Sequence, residues 1–195
     1  MSSLTSVMVG TFQMSAPSVV AAAVATCESC IHDFSGMNAA VEDVLHCSSL
    51  SAASYCKTVG SIVWRPWNDL ISVVTRDTIS LILTAMRSHP DVYSVQYEGC
   101  WALAGIVYLD RTSIPDVLSL DGVHLLCTAA DTYLGSFSVQ KWVCDALFWI
   151  AALSGASRAA LRSGRATEVA TRARVHYSTL DTVVEQLMLT LTYAS

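Results

Sequence analysis

The chain has 195 residues, 53% of them hydrophobic and only 14% charged, with a formal net charge of −5. That length suits one domain with a sizeable core, while soluble proteins average roughly 45–50% apolar and roughly 25% charged residues. A membrane span does not account for the surplus, because the longest apolar runs, 19–27 and 146–153, fall well short of the roughly 20 residues a spanning helix needs. No Lys or Arg precedes Lys57, so a basic secretory or transit leader is not expected and a cytoplasmic protein is.

In chain order the pattern predicts helices and almost nothing else. Residues 1–15 are rich in Ser, Thr and Met without a clear period and read as a tail. Pro17 in a first-turn position opens an Ala/Val-rich helix to about residue 33, and Ser35-Gly36 closes it. A second helix is expected over 37–47 with Asn38 as a candidate cap, and a third over 49–63. The Trp64-Arg65-Pro66-Trp67-Asn68-Asp69 segment breaks the pattern. Further helices follow over 70–88, stopped by Pro90, then 92–109, 114–120, 123–133 and 138–153. In the helix 92–109, Val95, Cys100, Leu103, Ile106 and Val107 form one stripe, and Trp101, Ala102 and Ala104 make the other side apolar too. A helix apolar nearly all round is buried on several sides.

The chain also resembles itself at a spacing of 44 residues: Val95-Gln96 recurs as Val139-Gln140, Cys100 as Cys144, Ala102-Leu103 as Ala146-Leu147 and Ile106 as Ile150. Cys56, Val59 and Ile62 extend the register upstream, and Val183, Leu187 and Leu191 extend it downstream. A period of that size marks helical repeat arrays, in which each repeat buries its apolar face against its neighbours.

The stretch Ala85-Met86-Arg87-Ser88-His89-Pro90-Asp91, followed by Val95-Gln96-Tyr97-Glu98-Gly99-Cys100-Trp101-Ala102-Leu103, resembles an armadillo repeat of the protist style. Asp121-Gly122-Val123-His124-Leu125-Leu126 is similar to the family's G-G-I-x-x-L opening of a repeat. The resemblance covers 77–164 best, extends more loosely over 165–195 and is weak before residue 47. It implies an all-α fold, an armadillo-type right-handed α-solenoid of about four repeats at 16–69, 70–110, 111–154 and 155–195. Peptide-binding armadillo repeats present a Trp and, four residues on, an Asn into their groove. Trp101 matches that Trp, but Gly105 replaces the Asn, and Asp145 and Trp149 hold the pair in the next repeat, Lys57 and Ser61 in the preceding one. Without Asn to clamp a partner's backbone amides, the groove is expected to use Trp101, Trp149 and Asp145 on a helix or folded partner. The alternative is that both Trp are simply core.

Seven cysteines lie at 27, 30, 47, 56, 100, 127 and 144. Cys56, Cys100 and Cys144 share a repeat position and are expected as buried, reduced core. Cys27 and Cys30, with His32, His46 and Cys47, form the one constellation that could take zinc, but the second doublet is not of the usual form. Two thiols one turn apart also fit a packing stripe, so no metal and no cofactor is expected, and a metal- or redox-responsive module remains the alternative. No nucleophile elbow, phosphate-cradling Gly loop or paired-carboxylate motif appears, which argues against an enzyme and leaves nothing pointing to a small-molecule substrate.

Arg158, Arg162, Arg165, Arg172 and Arg174 fall within 17 residues with only Glu168 against them, leaving the rest of the chain at about −9. They read either as a solvated helix face or as a basic end for an acidic surface, with RNA contact the weaker option. The last helix reads Val-Val-Glu-Gln-Leu-Met-Leu-Thr-Leu-Thr-Tyr over 183–193, which is apolar for a repeat end. Leu187, Met188, Leu191 and Tyr193 are therefore expected to meet a partner. The combined reading is a non-catalytic protein-protein interaction scaffold, a structural subunit of a larger assembly with other protein subunits as partners. The style of the repeats suggests a cytoskeletal or ciliary one, the axoneme included.

Overall fold

A computed structural model describes residues 48–64, 74–163 and 165–192. Among them the chain is all-helical: α1 Ser49–Val63, α2 Arg76–Ser88, α3 Tyr93–Leu109, α4 Ile114–Ser119, α5 Gly122–Thr132, α6 Phe137–Leu153, α7 Gly155–Ser163, α8 Ala166–His176 and α9 Asp181–Thr192. None of these helices is long and apolar enough to cross a membrane. The expected helices 37–47 and the one after Pro17, with Cys27, Cys30, His32, Asn38, His46 and Cys47, lie outside the described residues.

Local chemistry sets the boundaries. The Ser48 hydroxyl accepts the Ser51 amide at 3.3 Å and caps α1. The helix expected from residue 70 begins instead at Arg76, because Thr75 and Thr78 form a reciprocal capping box that fixes its first turn. The expected 155–195 repeat divides into α7, α8 and α9, each beginning within a few residues of the end of the one before. Asp121 stands where the resemblance has its first glycine and takes the left-handed conformation, φ 64, that turns α4 into α5. Asp tolerates that region better than most residues.

The helices pack in two rows. α1 lies against α3, α3 against α6 and α6 against α9, while α2, α5 and α8 form a second row, each packed on its own long helix. Where α1 meets α3 the backbones approach closely: a Cβ at Gly60 would stand 2.5 Å from the Trp101 ring. Cys56 on α1, Cys100 on α3 and Cys144 on α6 are each 0% exposed. Burial pushes the thiols of Cys56 and Cys144 up to about 12, so they pack as small protonated hydrophobes.

The repeated Gln acquires a physical meaning. Pro90 has no N–H for the Met86 carbonyl, and the buried Gln96 amide donates to that carbonyl at 2.8 Å and to the His89 carbonyl at 3.0 Å. Gln140 repeats the pair 44 residues on, donating to the Ala130 and Tyr133 carbonyls at 2.7 and 3.2 Å. A second joint recurs in the same register: the Tyr133 hydroxyl donates to the Pro90 carbonyl at 3.4 Å, and the Tyr177 hydroxyl to the Leu134 carbonyl at 3.2 Å. Both devices tie the end of a second-row helix to its neighbours, satisfying carbonyls that a helix terminus otherwise leaves open.

Candidate functional site

The positions that the sequence resemblance singles out lie on the first row. Trp101 is half-buried over Gly60, and Asp145 is half-buried with its carboxylate 2.6 Å from Lys141 Nζ. Gly105, the position lacking Asn, has a different tenant: a Cβ there would stand 2.6 Å from Trp64 Nε1. The Trp64 indole therefore lies across α3, and its N–H donates to the Trp101 carbonyl at 3.1 Å. The absence of a side chain at Gly105 is what gives the ring its seat.

From this seat a row of rings extends along the face. Trp64 stacks on Tyr108 with centroids 5.8 Å apart and meets Trp142 at 5.6 Å. Tyr108 meets Trp149 at 4.9 Å, and Trp149 meets Phe148 at 5.0 Å. These are the tilted and offset geometries that aromatic quadrupoles favour. The row is packed yet open to solvent: Trp64 and Tyr108 are 36% and 43% exposed, and Trp142, Phe148 and Trp149 are partly buried. Trp149 is thus neither simple core nor a lone protrusion.

Charges flank the rings. Lys141 stands over Trp142 and Arg111 over Trp149. Lys57 is exposed on α1, and half-buried Glu98 has its carboxyl pushed above the ordinary value by burial, with Lys57 pulling it back. Trp64, Tyr108 and Trp142 were not expected here. The signal was present, since Trp64 and Tyr108 are 44 residues apart, but Trp64 falls in a segment that reads as a break in the helical pattern.

Two groups of expected contacts have partners within the chain. In α9, Leu187 and Leu191 are 0% and 5% exposed and face inward, because α6 and α8 both pack on this helix. Met188 is partly buried, Leu189 is the exposed leucine at 44%, and Tyr193 lies outside the described residues. The arginines are mostly spent on internal joints. Arg158 donates to the Ala151 carbonyl at 3.4 Å and Arg162 to the Leu191 carbonyl at 2.7 Å. Arg165 and Arg172 both pair with Asp131, and Arg165 also approaches Glu168 at 3.7 Å. Helix ends attract such cations because their carbonyls carry partial negative charge. Arg174 is exposed in the last turn of α8.

On this face the described residues pair aromatic rings with cations. They contain no group of three or more His, Cys, Asp and Glu placed to hold a metal ion, and the Cys27, Cys30 and Cys47 constellation lies outside them. Cys127 is the mildest of the buried thiols and is still raised to about 11 by burial, far from the lowered values of reactive cysteines. The chain matches no family model, no curated protein and no solved structure.

Proposed function

We propose that this chain is an armadillo-type right-handed α-solenoid of about four repeats that works as a non-catalytic interaction scaffold, a structural subunit of a larger assembly. The glutamine and tyrosine joints recurring at 44 residues support the repeat reading. The observation that carries the function is the half-open row Trp142–Trp64–Tyr108–Trp149. A monomer with no partner for this face would leave large rings in water, whereas buried aromatic residues dominate binding energies at interfaces. Met188 stays a proposed secondary contact. The style of the repeats points to a cytoskeletal or ciliary assembly of the cytoplasm.

The test is quantitative co-purification from the source cells with the native chain and with Trp149→Ala and Tyr108→Ala, each checked for unchanged helicity. Both variants should lose most of the co-purifying chains, whose identities name the assembly. Undiminished recovery by both variants would refute this face as the docking surface.

A further inference from the structure

The aromatic row brings its own cations. Lys141 Nζ stands 3.8 Å from the centre of the Trp142 ring, and the Arg111 guanidinium 5.7 Å from that of Trp149. At both ends of the row, one ring face on which a partner's ammonium or guanidinium would stack is already taken. Lys57, exposed on α1, adds a third cation, and Lys57 and Lys141 are the chain's only lysines.

Among the described residues, Glu98 and Asp145 are the carboxylates beside the rings, and neither is open to a newcomer. Asp145 is held by Lys141 at 2.6 Å, and Glu98 is half-buried. Arg111 is exposed, whereas its neighbour Asp110 is turned to the Thr112 amide and hydroxyl at 2.9 and 2.6 Å. In a chain whose net charge is −5, Arg111 and Lys57 thus stay exposed beside this aromatic row.

We propose, resting on the scaffold reading above, that this face takes an acidic segment of a partner protein: apolar or aromatic side chains lie on the Trp64–Tyr108–Trp149 row, and carboxylates meet Arg111 and Lys57. Charge complementarity of this kind selects the partner and fixes its register more than it adds raw affinity. A basic segment is disfavoured twice, by the occupied ring faces and by like charge beside them.

Panning random displayed peptides against the full chain tests the assignment. Selected sequences should be enriched in Asp and Glu beside Leu, Phe or Trp, and their binding should weaken as salt rises. Arg111→Glu, a charge reversal at an exposed side chain, should weaken them about tenfold or more, with Arg111→Gln intermediate and helicity unchanged in both. Enrichment of Lys and Arg, or failure to select any peptide whose binding depends on Trp149, overturns the proposal. A native partner that needs Trp149 but docks through a basic segment would refute the acidic occupant and leave the scaffold function standing; capture indifferent to Trp149 and Tyr108 would remove both.

Discussion

The joints between α2 and α3 and between α5 and α6 differ in kind from those that hold α7, α8 and α9. In the first two, a buried glutamine amide closes the end of the second-row helix, with Gln96 and Gln140 3% and 1% exposed. The residue 44 positions after Gln140 is Val184, fully buried and unable to donate. There the joints run through arginine side chains that solvent reaches: Arg165 and Arg172 to Asp131, and Arg162 to the Leu191 carbonyl. The seam changes likewise. Val139, Cys144 and Ala146 are 0% exposed, while Val183, Met188 and Thr190 at the corresponding places in α9 are only partly buried. A dry seam can use neutral hydrogen bonds, whereas joints that solvent reaches use charges that water screens.

The largest expected effect breaks the inner seam. Cys100→Arg places a charge where nothing can pair with it and should cost about 4 kcal/mol or more, abolishing cooperative thermal unfolding followed by circular dichroism. A folded Cys100→Arg protein would mean that the α1–α3 seam is not closed.

Alkaline pH probes the repeated buried thiol position without a new side chain. An ordinary thiol ionises near 9.0, whereas Cys56 and Cys144 ionise at about 12 in the folded chain. The folded state therefore holds these protons more tightly. Their contribution is intact below pH 9 and is lost as pH rises towards 12, at about 1.4 kcal/mol per pH unit for each thiol. Between about pH 8 and about pH 10, denaturant titrations should show the native protein losing about 2–3 kcal/mol more than Cys56→Ala/Cys144→Ala. Parallel declines in the two proteins would contradict buried, protonated thiols.

Gln96→Leu and Gln140→Leu should each cost about 2 kcal/mol, because buried carbonyls lose a donor. Equal losses sharpen the claim that the two joints are the same device, and a cost confined to one of them breaks it.

Asp131→Asn removes the partner of Arg165 and Arg172, but the arginines are 51% and 40% exposed, so the cost should be only about 1 kcal/mol. Amide exchange should quicken in α8 and stay slow in α3. Acceleration spread evenly over the chain would show that α8 does not open separately.

The smallest effect is expected from Val184→Gln. Tyr177 caps α8 as Tyr133 caps α5, so the new amide has carbonyls in the places that serve Gln140, and the change should cost less than about 1 kcal/mol. A loss as large as that of Gln140→Leu would show that α8 and α9 do not share the inner geometry.

Helix positions were legible because their signals are local. The 49–63 and 92–109 helices fall within a residue of α1 and α3, the second of them starting just after the Pro90 break. Residues 155–195 were less legible, since Arg158 and Arg162 look like a solvated face in sequence and only in space become donors to helix ends. The same holds for Leu187 and Leu191, whose apolar run near a chain end looks uncovered until α6 and α8 are seen to pack on it.

The amino-acid sequence by itself determined the helical content, the 44-residue register and the burial of Cys56, Cys100 and Cys144, because periodic apolar positions, caps and breakers act over a few turns. Only the tertiary structure decided which side chains form the open aromatic face. Trp64 reaches Trp142 across α3 over the space left by Gly105, and a contact between residues 78 positions apart leaves no mark in local pattern. It depends on how closely the helices between them approach.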